Sequence, residues 1–442
     1  MNQKDNKNDH MAAYWMPFTP NRTFKESPRL YNRAKGLYYE TSDGRQVLDA
    51  FSALWCSNLG HCHPKITEAI QDQAAELDYA TAFNFSHEKA FDLANIIAEQ
   101  FPETLDHVFF TNSGSEAVDT ALKMALAYHR INGEGTRTRL IGRVNGYHGV
   151  GFGGISVGGM VNNRKFFGGL LTGVDHLPFP YDAAEDAFTR GEPDTDPMKY
   201  LKELEQLITL HDASTIAAVI VEPMIGSAGM FVPPKGYLKK LREITEKHGI
   251  LLIFDEVITA FGRLGEANAA TYFGVTPDIC TMAKAINNAA VPMGGVIASK
   301  KIYDTFLDGT KAGIEFFHGY TYSAHPLAVA AAIAAQCIYK EEGIYERVRN
   351  NIKFFEDGMH SLKGEPFITD IRNFGLAGGL TIEQRDGVIG ARSHDFFLKA
   401  YERGINIRTN GDTIAIAPIL TSSKQELEPI FDILKKTAND IQ

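Results

Sequence analysis

From residue 105 to residue 260 the chain alternates short apolar runs with amphipathic stretches, and this alternation limits its fold more than any other feature. VFFTN (108–112), RLIGRV (139–144), AAVIVEP (217–223) and ILLIFDE (250–256) are apolar, β-branched runs with no regular polar alternation. Runs of that kind suit strands buried on both faces. Helical spacing lies between them, at residues 117–128 and again at Tyr237–Lys247. Strand, helix, strand is the grammar of an α/β fold, a mostly parallel sheet covered by helices.

At 442 residues the chain also exceeds the roughly 250–300 residues at which a single core stops growing, so a second unit is expected. Residues 1–10 carry few apolar side chains and are expected to form a loose tail. Two β-type runs within residues 36–55 flank Asp43-Gly44, a dipeptide that predicts a hairpin with a type I′ turn. Helical spacing follows, with Ile66, Ile70 and Leu77 on one face, and then Ala90, Leu93, Ala94 and Ile97 on another. Past residue 320 the apolar density drops; helices at 328–339 and 344–359 precede a strand-rich tail, DIRNFGLAGGLTIE. The expected organisation is a segment of a small α+β domain at 1–65, a large domain at 66–320 and the rest of the small domain at 321–442.

Charge narrows the partners. Forty-four Lys and Arg against 54 Asp and Glu give a net charge of −10, which opposes a phosphate-backbone partner and argues against nucleic acid. No stretch reaches the roughly 18 apolar residues of a membrane span, and the N-terminus has no apolar run behind a basic region. Four cysteines in so long a chain are too sparse for a disulfide framework. Together these features read as a cytoplasmic protein with no membrane partner.

In a parallel α/β sheet, ligands bind beyond the carboxyl ends of the strands, so the residues that follow each apolar run carry the chemistry. Ser113-Gly114-Ser115 follows VFFTN and opens a helix, where backbone N–H groups make an anion site; plain N-capping is the ordinary alternative. Glu222 and the pair Asp255-Glu256 put acids on the same rim. Lys284 lies in a 24-residue run, Tyr272–Gly295, whose only other charge is Asp278. A lysine in such surroundings either snorkels to water or is held as an amine nucleophile of lowered pKa. An amine, an acid and an anion cradle form the set that pyridoxal 5′-phosphate needs.

Two other patterns carry less. Gly149, Gly151 and Gly154 spell G-x-G-x-x-G, but NGYHGV before them is not a strand and no amphipathic helix is expected after them, which argues against a nucleotide site. Cys56, His61, Cys62 and His63 lack a second Cys/His pair at a structural-zinc spacing, so no metal site is expected.

Longer motifs run through nearly the whole chain: YWMPFTPNR, LWCSNLGH, FFTNSGSEAVDTALKMALAYHR, GYHGVGFGGISVGG, IVEP, LLIFDEVI, MAKAINNAAVPMGG and FFHGYTYSAHP. In these the sequence resembles the class III, or ω-amino acid, pyridoxal-phosphate aminotransferases of fold type I, nearest to the branch that uses β-alanine and pyruvate. The resemblance implies a large domain around a seven-stranded sheet and a small domain from both chain ends. It implies Lys284 as the Schiff-base lysine, Asp255 as partner of the pyridinium nitrogen, Gly114 and Ser115 as the phosphate cradle, and Tyr147 and Val257 on the two faces of the ring. Glu222 joins the cofactor set on the same rim. By the same resemblance Thr321 reaches the cofactor phosphate of a neighbouring subunit, so a homodimer or dimer of dimers with active sites at the interface is implied. Trp55 and Arg408 resemble the pocket tryptophan and the carboxylate-binding arginine, and Phe83, with Phe85, is expected to line the substrate pocket.

The implied reaction is transfer of an amino group from an ω-amino acid or amine to pyruvate. The donor stays open among β-alanine, taurine, another ω-amino acid and a plain amine, and the rivals are a mutase, racemase or decarboxylase on the same fold, a non-catalytic cofactor-binding protein of this fold, and a nucleotide-dependent oxidoreductase suggested by the glycine run. The chain departs from the family's usual glycine at Ala260, Ala289 and Ala324, and has Pro418-Ile419 where a Pro-Pro is usual.

Overall fold

The computed structural model describes residues 10–311 and 313–441; residues 1–9 of the expected tail lie outside the described residues. Three strands come first: β1 (Tyr31–Lys35), β2 (Tyr38–Thr41) and β3 (Gln46–Asp49). β4 (Leu105–Thr111), β5 (Arg139–Arg143), β6 (Val174–Leu177), β7 (Ile216–Val221), β8 (Leu251–Asp255), β9 (Ile279–Ala283) and β10 (Gly294–Ser299) form one seven-stranded sheet. Its order is β4-β10-β9-β8-β7-β5-β6, and β10 alone runs antiparallel to its neighbours.

Period-two alternation explains why the central strands read as unbroken apolar runs. Ala218 and Ile220 of β7 and Leu251 and Ile253 of β8 pack on one side with Ala117, Val118, Ala121 and Leu122 of helix Gly114–Ile131. Val219, Val221, Leu252 and Phe254 pack on the other with Leu201 and Leu204 of helix Met198–His211 and Leu238 and Leu241 of helix Tyr237–Lys247. Both faces are covered, so both sets must be apolar. Each large aliphatic side chain buried here contributes about 1.5–3 kcal/mol.

After β10 come β11 (Ile368–Asn373), β12 (Gly378–Ile382), β13 (Ile405–Asn406), β14 (Arg408–Asn410) and β15 (Thr413–Ile416). β11, β12, β15 and β14 make an antiparallel sheet, whereas β13 crosses to the start of the chain and pairs parallel with β3. The last helix, Lys424–Asp440, begins with a capping box between Ser423 and Glu426. Among the described residues no helix is long and apolar enough to cross a membrane.

Three local expectations need correction. β2 and β3 form the hairpin, but Gly44 has φ +84° while Asp43 is not left-handed, so the turn is not type I′, which needs both. Leu77 lies past the end of helix Pro64–Glu76 and is exposed, leaving Ile66 to bury that face. β9 lies inside the apolar stretch around Lys284 and β10 begins at its last two residues, so one sequence stretch contains a strand, the turn that carries Lys284 and the start of a second strand.

The glycine run after β5 leads into a helix of six residues, Phe152–Val157, and its glycines serve packing. A Cβ on Gly149 would stand 2.5 Å from Ser115 Oγ, one on Gly151 2.3 Å from an Asp119 carboxylate oxygen, and one on Gly154 2.2 Å from the His148 carbonyl oxygen. The loop thus lies flush on helix Gly114–Ile131, where Val150 N donates to Ser115 Oγ (3.1 Å) and Gly154 N to Asp119 Oδ1 (2.9 Å).

Candidate active site

Five strands of the large sheet deliver residues to one cavity from their carboxyl ends. Gly114 and Ser115 follow β4, Tyr147 and His148 follow β5, Glu222 follows β7, Asp255 ends β8 and Lys284 follows β9. All of them line the cavity, with Gly149, Val257, Ile258 and Ala283. The sheet topology alone therefore gathers an amine, two acids and a helix N-terminus from a span of 170 residues.

Ser113 takes the N-cap position of helix Gly114–Ile131; its Oγ accepts from Glu116 N (3.2 Å) and Glu116 Oε2 accepts from Asn112 N (2.7 Å). Ser113 therefore makes the plain N-cap, while Gly114 and Ser115 line the cavity, so the cap does not occupy the residues of the expected anion cradle. A Cβ on Gly114 would come within 3.1 Å of both Val257 methyls, which is why the cradle tolerates only glycine without rearrangement.

Asp255 is buried, and its two oxygens have separate partners. Oδ2 faces His148 Nδ1 at 2.8 Å; Oδ1 accepts from Thr281 Oγ1 (3.1 Å) and Val257 N (3.2 Å). His148 was not anticipated from the sequence, although it sits beside Tyr147 in the loop after β5. Its Nε2 has no hydrogen-bond partner among the described residues. Glu222 holds the same loop: Oε1 accepts from Tyr147 N (2.9 Å) and Oε2 from Gly226 N (3.2 Å). Burial pushes the Glu222 carboxyl above the ordinary range, partly opposed by His148. Glu256, next to Asp255, points away from the cavity and is fully buried, accepting from Ala269 N (2.5 Å), Ala270 N (2.9 Å) and Thr259 Oγ1 (3.0 Å).

Lys284 has φ +51°, a left-handed conformation uncommon for a residue with a Cβ and typical of functional sites. Burial pushes its amine below the usual lysine range, while Cys56, Asp255 and Glu222 act in the opposite direction. Its side chain is half-buried and lines two cavities, and a lowered basicity there is what an amine nucleophile needs.

A second cavity adjoins the first and shares Tyr147 and Lys284 with it. Trp55 and Arg408 line it, as expected, and so do Phe18, Phe51, Leu54, Met160, Asn163, Asn410 and Thr413, none of which stood out in the sequence. Trp55 is buried edge-to-face against Phe51 (centroids 4.9 Å), with the Arg263 guanidinium 5.8 Å from its ring. Arg408 is exposed to the cleft. Phe83 and Thr321 line neither cavity: both lie exposed on the outer surface of the single chain, where a Cβ on Gly319 would be 3.0 Å from the Phe83 ring and Tyr79 Oη donates to the Thr321 carbonyl (2.9 Å).

The site fits pyridoxal phosphate: an amine of lowered basicity and a buried, hydrogen-bonded carboxylate share one cavity with a glycine-lined helix N-terminus. The family pattern of class-III aminotransferases, which use this cofactor, matches residues 20–438. An ω-aminotransferase of Caulobacter vibrioides is 53% identical over 431 residues, covering 98% of each chain. A β-alanine–pyruvate aminotransferase of Pseudomonas aeruginosa is 48% identical over 434 residues, covering 98% of this chain and 96% of the relative. An ω-transaminase of Pseudomonas jessenii, solved in complex with PMP, superposes with a TM-score of 0.93 at 29% identity, covering 100% of this chain and 98% of that one. The converging strand ends, the matched pattern and these relatives place the chain in the class-III aminotransferases, with the pyridoxal-phosphate fold type I.

Proposed function

We propose that the protein moves the amino group of an ω-amino acid of the β-alanine type, or of an amine, to pyruvate, giving alanine and a semialdehyde or ketone. The observation that carries this reading is the position of Lys284, whose amine opens onto both the acid-lined cavity and the Trp55–Arg408 cleft. Names of the relatives support it: β-alanine–pyruvate and ω-amino acid–pyruvate aminotransferases are 48% and 46% identical to the chain.

In this reading Lys284 holds pyridoxal phosphate through Nζ, Asp255 its ring nitrogen, Gly114 and Ser115 its phosphate, and Tyr147 and Val257 its two faces. When bound, the group supplies a sink for the electrons left as the amine-bearing carbon loses its proton. Asp255, kept in place by His148 and Thr281, favours a positive charge at the ring nitrogen. Lys284, whose Nζ is freed when the donor amine takes its place and whose basicity is lowered by burial, would then take the proton from the amine-bearing carbon and return it. Glu222 acts through the Tyr147 backbone rather than by touching substrate. Arg408 grips the pyruvate carboxylate, and Trp55 shapes the pocket around the donor.

The same reading makes the protein a cytoplasmic homodimer or dimer of dimers with Thr321 reaching the cofactor phosphate of a neighbouring subunit, and since Phe83 is exposed beside Thr321 on the single chain, its expected place at a substrate pocket would be at the same interface. An exposed apolar surface supports this: Phe83, Phe85, Phe317 and Tyr322 are 51%, 72%, 90% and 58% exposed around residues 79–85 and 316–322. The division at residues 65 and 320 into a large unit and a small one built from both ends is supported by β13 pairing with β3. Incubation with β-alanine and pyruvate, followed by quantification of alanine, tests the reaction: alanine in proportion to β-alanine consumed is expected, while donor consumption without alanine would point to the mutase or decarboxylase chemistry instead.

A further inference from the structure

Both walls of the substrate cleft hang from one buried carboxylate. Asp49 ends β3, and its side chain is shielded completely from solvent. Oδ1 accepts from Phe51 N (3.0 Å) and Asn406 Nδ2 (3.4 Å); Oδ2 accepts from Ala53 N (2.5 Å) and from His61 Nε2 (2.8 Å). A buried carboxylate with this many donors is held firmly and holds them in turn.

Those donors lead to the two cleft residues. On one side, Ser52, Ala53 and Trp55 have φ of +45°, +62° and +66°, a succession that residues with a Cβ rarely adopt, so the loop that delivers Trp55 depends on anchors outside itself. Asp49 supplies two, at Phe51 N and Ala53 N. On the other side, Asn406 is the register partner of Asp49, Ala50 N donates to the Asn406 carbonyl (3.0 Å), and Arg408 stands two residues further on. The chain is separated here by more than 350 residues, yet Trp55 and Arg408 are referred to the same atoms. His61 closes the clasp; Tyr39 packs on its ring (centroids 4.2 Å), and its backbone bridges to Gly36.

The geometry points to Asp49 as a positioning residue that sets the relation between Trp55 and Arg408, and thereby the fit of carboxylate-bearing substrates. This rests on the reading of the Trp55–Arg408 cleft as the substrate site. Asp49 lines neither cavity, so its influence runs through the loop and the strand.

The test is steady-state kinetics of the holoenzyme of Asp49→Asn, which keeps the shape but turns an amide N–H toward groups that are themselves donors. KM for pyruvate is expected to rise about ten-fold or more, with kcat per borohydride-trapped active site within about three-fold of wild type. Reduced active fraction with an unchanged KM, the signature of general destabilisation, would overturn the proposal. In an Arg408→Ala background the pyruvate penalty of Asp49→Asn should shrink by about three-fold or more, because the two changes act on one contact, and penalties that multiply in full contradict the clasp. Should Asp49→Asn not fold, Asn406→Leu removes the Nδ2 bond and keeps the backbone pairing, and its KM for pyruvate should still rise; a normal KM there speaks against the clasp. Full pyruvate affinity in Arg408→Ala alone would instead overturn the cleft reading beneath it.

Discussion

His148 Nδ1 lies 2.8 Å from Asp255 Oδ2, leaving the other carboxylate oxygen to Thr281 and Val257. A carboxylate only accepts, so Nδ1 donates, and His148 Nε2 is the nitrogen without a partner among the described residues. Asp255 is therefore oriented from both ends before any ligand arrives. Replacing His148 with Phe should slow the amine half-reaction by about ten-fold or more, and His148→Asn, whose amide can donate from a similar place, should recover part of it. Stopped-flow absorbance with a good donor reads both; equal rates for wild type and the Phe variant would remove His148 from the site's chemistry.

Arg408 lines the cleft but not the cavity that holds Asp255. Loss of a charge-assisted carboxylate pair costs about 2–5 kcal/mol, so Arg408→Ala should lower kcat/KM for pyruvate by roughly 30-fold or more. An uncharged amine donor has no carboxylate to lose, and its half-reaction should change little. Equal losses for both would assign Arg408 to support of the fold or the cofactor.

Glu256 gives a pH signature separate from catalysis. Burial raises its carboxyl from 4.5 to about 7 in the folded protein, against the opposing hydrogen bonds from Ala269, Ala270 and Thr259. A folded pKa above the unfolded one means the folded state holds the proton more tightly, so the stabilisation is complete below pH 4.5 and is lost as pH rises to about 7. Glu256→Gln cannot titrate. The stability difference between wild type and Glu256→Gln should therefore change by about 3 kcal/mol, against wild type, from pH 4.5 to 7.5. Chemical denaturation at several pH values reads the slope, and a constant difference would show that Glu256 keeps an ordinary pKa.

Ala289 and Ala324 stand where the resembling family usually has glycine, and both are left-handed, with φ of +56° and +55°. The methyl is strained there, whereas Ala260 is not left-handed and carries no such cost. Ala324→Gly should raise stability by up to about 1 kcal/mol, the relief of strain exceeding the extra freedom of the unfolded glycine. A lower melting temperature would mean that the packing of the Ala324 methyl outweighs its strain.

The acid-lined cavity was legible because a parallel sheet forces chemistry to strand ends: Glu222, Asp255 and Lys284 each come directly after the last apolar residue of a run, and Ser115 stands four residues past the end of β4. His148 was missed because four residues separate it from the end of β5, and a histidine in a glycine-rich loop carries no pattern of its own. The second cavity was mostly illegible. Phe18, Met160, Asn163 and Asn410 come from unrelated segments that meet only in three dimensions. Trp55 and Arg408 were reached through resemblance, since a tryptophan after Leu54 and an arginine before Thr409 look like core and surface residues. The hairpin was visible at Asp43-Gly44, but its turn type was not, because the dipeptide suits more than one turn and only Gly44 needed its freedom.

Borohydride reduction of the holoenzyme, followed by peptide mass mapping, bears on Lys284 itself. A pyridoxyl adduct on the peptide containing Lys284 is expected, together with loss of both the adduct and turnover in Lys284→Ala. An adduct on any other lysine of the wild-type protein, or turnover retained by Lys284→Ala, would contradict the assignment of the amine to the residue after β9.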